Sequence, residues 1–110
     1  MVKERRRCSR ITFRQPIRGT VGPSRIYVLD ASPFGIGVTH TSPLPPPGEV
    51  CRVELVSDLG PIRLDCAIIR TSVEQLVEAT TRTFYRSGLQ VLGSDNQSAA
   101  RLRGIADKKK

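Results

Sequence analysis

The chain has 110 residues, of which 38% are hydrophobic, and 18 Lys and Arg residues against 10 Asp and Glu residues give it a formal net charge of +8. This length predicts one domain with a single modest core. No apolar run approaches the roughly 20 residues of a membrane span, and the charged N-terminus lacks the apolar region of a signal peptide. We therefore expect a cytoplasmic protein without membrane insertion.

The basic charge is concentrated near the start of the chain. Residues 1–25 contain eight basic residues and one acidic residue, whereas the other 85 contain ten basic and nine acidic ones. This distribution predicts an anionic partner for the N-terminal region rather than a generally basic surface.

Short strand-like runs separated by turn residues follow one another along most of the chain. They lie at residues 16–21, 25–29, 35–39, 49–56, 62–71 and 80–92. Residues 22–24 and 58–61 are turn signals, and the proline-rich residues 42–48 predict a stiff connection. Regular short strands of this kind predict an antiparallel β-sandwich or small β-barrel.

After the last strand the pattern changes to that of a short helix. Ser94 or Asp95 suits the N-cap position. Apolar side chains then recur at helical spacing on one face, at Ala99, Leu102 and Ile105 or Ala106. We expect this helix to cover an open end of the barrel.

Residues suited to catalysis or metal binding are sparse. His40 is the single histidine, and its place among threonines favours a strand-end residue over a general base. The three cysteines, Cys8, Cys51 and Cys66, are widely spaced, and structural zinc needs about four ligands. We therefore predict no enzyme, no catalytic residues and no metal site, and we expect the free thiols of a reducing compartment.

One constellation that carries chemistry is the arginine run at the start of the chain. Arg6 and Arg10 lie four positions apart, directly after Arg5. Read alone, this run is typical of a solvated basic tail or a nonspecific nucleic-acid arm. Because an apolar segment at residues 11–13 follows, an arginine can be held against a folded edge. Its planar fork then suits phosphate or the O6/N7 edge of guanine.

The second constellation is the hexapeptide Asp-Ala-Ser-Pro-Phe-Gly at residues 30–35. Its simplest interpretation is a tight turn in which Asp and Ser bond to nearby backbone. Functionally, the Asp30 carboxylate accepts hydrogen bonds only, which suits the adjacent N1 and N2 donors of guanine. Ser32 can add a hydroxyl bond, and Gly35 lets a ligand approach the backbone closely. The two constellations are complementary, since one binds phosphate and guanine acceptors and the other binds guanine donors.

With these two motifs the sequence resembles the PilZ domain, a bacterial receptor module for the second messenger cyclic di-GMP. That family pairs an R-x-x-x-R motif with a [D/N]-x-S-x-x-G motif twenty to thirty residues later. Here these are residues 6–10 and residues 30–35, and Gly-Leu-Gln-Val at residues 88–91 is similar to the family's final strand. The resemblance implies an all-β fold, a six-stranded antiparallel β-barrel with a short C-terminal helix.

The resemblance also implies roles for individual residues. Arg6 and Arg10 would bind the phosphates and guanines, Asp30 and Ser32 would read a guanine, and Gly35 would leave room for it. Arg5 is expected to favour an intercalated pair of ligand molecules. Ile68 is the candidate for apolar packing against a base.

The predicted organisation has three parts. Residues 1–12 form a flexible basic switch segment, residues 13–106 form the barrel with its helix, and residues 107–110 form a basic tail. The predicted function is a cyclic di-GMP receptor that needs no cofactor. On ligand binding it orders the switch segment and signals through contacts with a downstream protein that the sequence does not name.

Two alternatives remain open at the level of sequence. One is a nucleic-acid-binding β-barrel that uses the same basic arm. Against it, no basic stripe follows residue 25, and aromatic residues make up 5% of the chain, too few for a stacking platform. The other is a PilZ-like barrel that binds no ligand and acts as an interaction adaptor. The intact motifs argue against this second alternative.

Overall fold

The chain folds into six β-strands followed by one α-helix. A computed structural model describes residues 10–32, 34–73 and 83–108, with side chains described as far as residue 105. The elements are β1 (Ile11–Val21), β2 (Ser24–Ser32), β3 (Gly35–His40), β4 (Val50–Ser57), β5 (Gly60–Val73), β6 (Tyr85–Ser94) and α1 (Asn96–Lys108).

The strands close into an antiparallel barrel. Their order around the barrel is β1-β2-β3-β6-β5-β4, and every neighbouring pair is antiparallel. The prediction of a six-stranded antiparallel barrel with a short C-terminal helix is therefore confirmed.

Closure depends on a short ladder between β1 and β4. It joins Gly19–Val21 to Val53–Leu55. A Cβ on Gly19 would lie 2.5 Å from the backbone oxygen of Glu54, so the missing side chain lets the two strands approach. The hairpin from β1 to β2 turns at Gly22, whose φ of 58° is in the left-handed region that favours glycine.

Alternating side chains of the strands fill the barrel interior. On β5, for example, Ile62, Leu64, Cys66 and Ile68 point inward and are almost completely buried. The core also contains the equivalent side chains of the other strands, among them Ile26, Val28, Ile36, Val38, Val53, Leu55 and Leu89. This packing leaves the alternate residues of each strand on the outer surface, where a ligand can reach them.

The C-terminal helix is capped as the sequence predicts. Asp95 accepts a hydrogen bond of 2.6 Å from the backbone N–H of Ser98, and this bond lowers the pKa of the Asp95 carboxyl. The Ser98 hydroxyl in turn accepts the backbone N–H of Arg63 on β5 at 2.8 Å. Ile105 is buried in the core, and Leu102 packs against it. The helix is thereby fixed to the barrel at both ends.

Several element boundaries differ from the predicted ones. β1 begins at Ile11, two residues before the predicted start of the barrel at 13, and β6 begins at Tyr85 rather than at 80. The larger difference concerns the hexapeptide. Asp30 and Ser32 are strand residues of β2, and Gly35 is the first residue of β3, so the motif residues with predicted ligand roles belong to strands rather than to a turn.

Candidate functional site

The hexapeptide places one carboxylate on the outer surface of the barrel. Asp30 is paired with Thr12 on β1 and with Gly37 on β3. Because Ile36 and Val38 point into the core, Gly37 faces outward, and a Cβ on it would lie 2.7 Å from Asp30 Oδ1. The Asp30 side chain therefore covers the outer face of Gly37. It is held close to the sheet, and the whole residue is only 8% exposed.

Two arginines from distant parts of the chain flank this carboxylate. Arg10 Nη1 donates a hydrogen bond to Asp30 Oδ1, and Arg86 Nη2 lies 3.6 Å from Asp30 Oδ2. Both arginine side chains are about half exposed, so their guanidinium groups remain accessible to an anion. The structure thus brings the last arginine of the first motif to the first residue of the second.

Arg86 is a site residue that the sequence reasoning missed. It lies on β6 and pairs with Thr39 of β3. This pairing of β6 with β3 brings Arg86 beside Asp30. Arginine two positions before a glycine in a strand is too common to stand out in one sequence.

Three glycines leave the adjacent backbone of β3 and β6 without side chains of its own. Gly37 is paired with Gly88 across β3 and β6, and Gly35 is paired with Gln90. A Cβ on Gly88 would have no atom within 4 Å, so the space above it is open. We call Gly35, Gly37 and Gly88 the glycine face. A planar ring has room against the backbone at Gly88, while Asp30 covers Gly37 beside it.

Ser32 has a local structural role in this state. Its hydroxyl accepts the backbone N–H of Phe34 at 3.3 Å and donates to the Gly35 carbonyl at 3.5 Å. The Phe34 carbonyl accepts the Val91 N–H at 2.8 Å, which fixes the turn to β6. Both bonds of the hydroxyl are long, so it can exchange them for a ligand atom.

Ile68 does not lie at the surface, contrary to the sequence prediction. It is 1% exposed and belongs to the barrel core, where no base can reach it. A register shift in the β5–β6 ladder lies between Ile68 and Arg70. The residue within it, Ile69, is 52% exposed and close to Gly88 in the ladder. The exposed apolar side chain of β5 that lies beside Gly88 is therefore Ile69.

Arg5 and Arg6, the other predicted ligand-binding arginines, lie outside the described residues. Of the predicted site, the structure accordingly brings together Arg10, Asp30 and Gly35, with Ser32 in the adjoining turn.

A second polar cluster lies inside the barrel around His40. The Ser42 carbonyl can only accept, so His40 Nδ1 carries a proton and donates to it at 2.7 Å. His40 Nε2 then accepts a hydrogen bond of 2.8 Å from the Ser87 hydroxyl. The Ser87 hydroxyl in turn accepts a hydrogen bond of 2.7 Å from the Thr71 hydroxyl. The His40 ring also stacks on Tyr85, with centroids 5.4 Å apart.

Burial lowers the pKa of His40, although its bond to the Ser42 carbonyl opposes this effect. Ser87 is 1% exposed, so this serine–histidine pair has no access to a substrate. The described residues contain no group of three metal-ligating side chains. Within the same residues, no helix is both long and apolar enough to span a membrane.

Comparison with solved structures identifies the architecture. The PilZ domain of YcgR from Escherichia coli, determined with c-di-GMP, matches with a TM-score of 0.74 over 96% of this chain and 91% of that one, at 19% identity. MrkH, described as a c-di-GMP-dependent transcription regulatory factor, matches with a TM-score of 0.69 at 14% identity. That match covers 93% of this chain and 49% of MrkH. No family model and no curated protein sequence matches the chain. The chain has the PilZ fold.

Proposed function

We propose that this barrel with the PilZ fold is a receptor for c-di-GMP. The observation that carries the proposal is the Asp30 carboxylate, which two arginines flank and which lies beside the open backbone at Gly88. YcgR and MrkH, which share the fold, are both described with c-di-GMP. The ligand combines two phosphates with two guanines, and the site offers cations, a carboxylate and a flat surface within one area.

Each part of the ligand has a matching group in this proposal. Asp30 accepts the N1 and N2 protons of a guanine, since its two oxygens can serve the base and Arg10 together. Arg10 and Arg86 bind phosphate oxygens or the O6/N7 edge of a guanine. The base lies against Gly88, next to the Asp30 carboxylate that covers Gly37, and the exposed Ile69 side chain borders it.

The arginines at positions 5 and 6 complete the site by sequence resemblance. Their guanidinium groups neutralise the phosphates together with Arg10, which orders the chain that precedes β1. This ordering is the proposed signal, because it creates a new surface for a protein partner. Arg5 is proposed to favour two intercalated ligand molecules. The ligand shifts this equilibrium only by its differential affinity for the ordered state.

Isothermal titration calorimetry with c-di-GMP tests the proposal. Asp30→Ala and Arg10→Ala each remove charge-assisted hydrogen bonds worth roughly 1.5–3 kcal/mol, so we expect a roughly 10- to 150-fold weaker Kd. A second cross-strand pair on the outer surface, Arg52 and Asp65 at 2.8 Å, supplies matched controls. Arg52→Ala and Asp65→Ala should leave the Kd unchanged. A fitted stoichiometry of two would support the intercalated pair, and one would exclude it.

Parallel titrations separate this function from its alternatives. Cyclic di-AMP and single-stranded RNA should bind far more weakly than c-di-GMP. If the RNA binds best, with a steep salt dependence, the protein is a nucleic-acid-binding barrel. If nothing binds the parent chain, or if the Asp30 and Arg10 variants bind c-di-GMP like the parent, the proposed receptor site is wrong.

A further inference from the structure

A groove opens where β1 and β4 separate, and the candidate c-di-GMP site uses neither strand. Beyond the short ladder that closes the barrel, residues 15–18 of β1 and residues 56–59 face each other across a cavity of about 400 Å³. Ile105 of the helix also lines this cavity. A second hollow of about 560 Å³ continues from it over β2 and β5, and the two share Arg18 and Val56. We call the two together the β1–β4 groove.

Several apolar side chains of the groove are exposed to water. Val56 is 68% exposed and Leu59 is 41% exposed, and Tyr27 borders the second hollow. Exposed apolar groups that adjoin one another in a concave surface mark sites of protein interaction more often than scattered ones do. These side chains can hold the apolar residues of a partner.

The same groove has a net positive charge. Its lining contains the basic residues Arg18, Arg25 and Arg63, which line the second hollow, against the acidic residues Glu54 in that hollow and Asp58 in the first. Glu54 lies 3.8 Å from Arg63. Within the part of the chain that the structure describes, Arg18 and Arg25 form no ion pair. Two guanidinium groups are therefore available to carboxylates of a partner.

We propose that the β1–β4 groove binds an acidic peptide segment of a partner protein, with apolar residues seated on Val56 and Leu59 and carboxylates on Arg18 and Arg25. Charge complementarity selects the acidic partner, and the apolar cleft selects a peptide over a nucleic acid. A single-stranded nucleic acid needs several stacking rings, whereas the described lining of the groove has one, that of Tyr27. The proposal does not depend on c-di-GMP, since Asp30 and the glycine face lie elsewhere on the barrel.

Selection from a random library of twelve-residue peptides, displayed against the full chain, tests this inference. Enriched peptides should carry net negative charge together with aliphatic or aromatic residues. The most enriched peptide, labelled with fluorescein, is then titrated by anisotropy at 50 and 300 mM NaCl. We expect Arg18→Glu with Arg25→Glu to weaken binding at least tenfold, and Val56→Ser to weaken it several-fold.

Matched variants make the result interpretable. Arg52→Glu with Arg103→Glu reverses two exposed charges outside the groove and should leave the Kd within twofold of the parent. Asp30→Ala should also bind the peptide like the parent, whatever its effect on c-di-GMP. Enrichment of neutral or basic peptides, no enrichment at all, or equal losses in both arginine pairs would overturn the inference. A labelled twelve-nucleotide oligouridine that binds more tightly than the peptide, and that the same groove variants release, would assign the groove to nucleic acid instead.

Discussion

Two glycines of the glycine face allow the role of Asp30 to be tested by the addition of a single methyl group. Gly37 and Gly88 are paired across β3 and β6. A Cβ at Gly37 would lie 2.7 Å from Asp30 Oδ1 and 3.1 Å from Oδ2, so Gly37→Ala forces the carboxylate away from its position. A Cβ at Gly88 would meet no atom within 4 Å, so Gly88→Ala makes the same chemical change without this displacement.

The expected difference in stability follows from these contacts. Glycine inside a strand costs roughly 0.5–1 kcal/mol relative to alanine, and both variants recover this amount. Gly37→Ala also disrupts the charge-assisted bond between Arg10 and Asp30, worth roughly 1.5–3 kcal/mol when protected from water. Because the Arg10 side chain is 52% exposed, solvent screening reduces this contribution to about 1 kcal/mol. Gly37→Ala should therefore be about 1 kcal/mol less stable than Gly88→Ala.

Urea denaturation measures this difference directly. With a typical m-value of about 2 kcal/mol per molar, the midpoints should differ by roughly 0.5 M urea. In an Arg10→Ala background the pair is already broken, so the difference between the two glycine variants should shrink. Equal midpoints for Gly37→Ala and Gly88→Ala would refute the reasoning. So would a difference that Arg10→Ala leaves unchanged.

Three further predictions concern groups away from the candidate site. Burial lowers the pKa of His40, so below about pH 6.5 the unfolded chain binds a proton that the folded chain does not. The free energy of unfolding should therefore fall from pH 7 to pH 5, by at most about 1.4 kcal/mol per pH unit. Calorimetry of His40→Gln should show a smaller fall over the same range. The same pH profile for His40→Gln and the parent would contradict this prediction. Burial raises the pKa of the Cys66 thiol to about 12, with smaller contributions from Cys51 and Asp65, so iodoacetamide at pH 8 should label the partly exposed Cys51 before Cys66. Peptide mapping that finds Cys66 labelled equally fast in the native protein would disprove the assignment. Asp95→Ala should lower the urea midpoint of unfolding through loss of the helix cap, whereas the control Asp58→Ala should not.

Local patterns in the sequence predicted the strands and the helix, whereas the choice of a six-stranded barrel over a sandwich came from the resemblance to the PilZ domain. The alternation of residues 50–56 and the turn signal that follows them predict a hairpin, and β4 and β5 pair there from Val50 to Ala67. The helix cap at Asp95 and the buried face at Ile105 also follow from spacing alone. These features depend on residues near one another in the chain, which is why one sequence reveals them.

The hexapeptide shows why local patterns were not sufficient for the site. Asp, Ser, Pro and Gly predict a turn, yet Asp30 is a strand residue because Thr12 and Gly37 pair with it from both sides. The correction of Ile68 to Ile69 likewise depends on a register shift between β5 and β6. Arg86 reaches Asp30 through the β3–β6 register. None of these pairings is encoded by neighbouring residues, so none could be predicted from one sequence.

The position of Asp30 gives the proposed receptor a direct connection between the barrel surface and the start of β1. Arg10 is the last residue before β1, and its guanidinium group is bound to Asp30. A guanine that bonds to the same carboxylate must either share it with Arg10 or displace Arg10 onto a phosphate. In both cases the ligand changes the partners of the residue to which residues 1–9 are attached. In the proposed receptor, this carboxylate would couple base recognition to Arg10 through one side chain. On this account Arg10→Lys, which keeps the charge but loses the bidentate fork, should retain weakened binding while uncoupling it from the N-terminal segment.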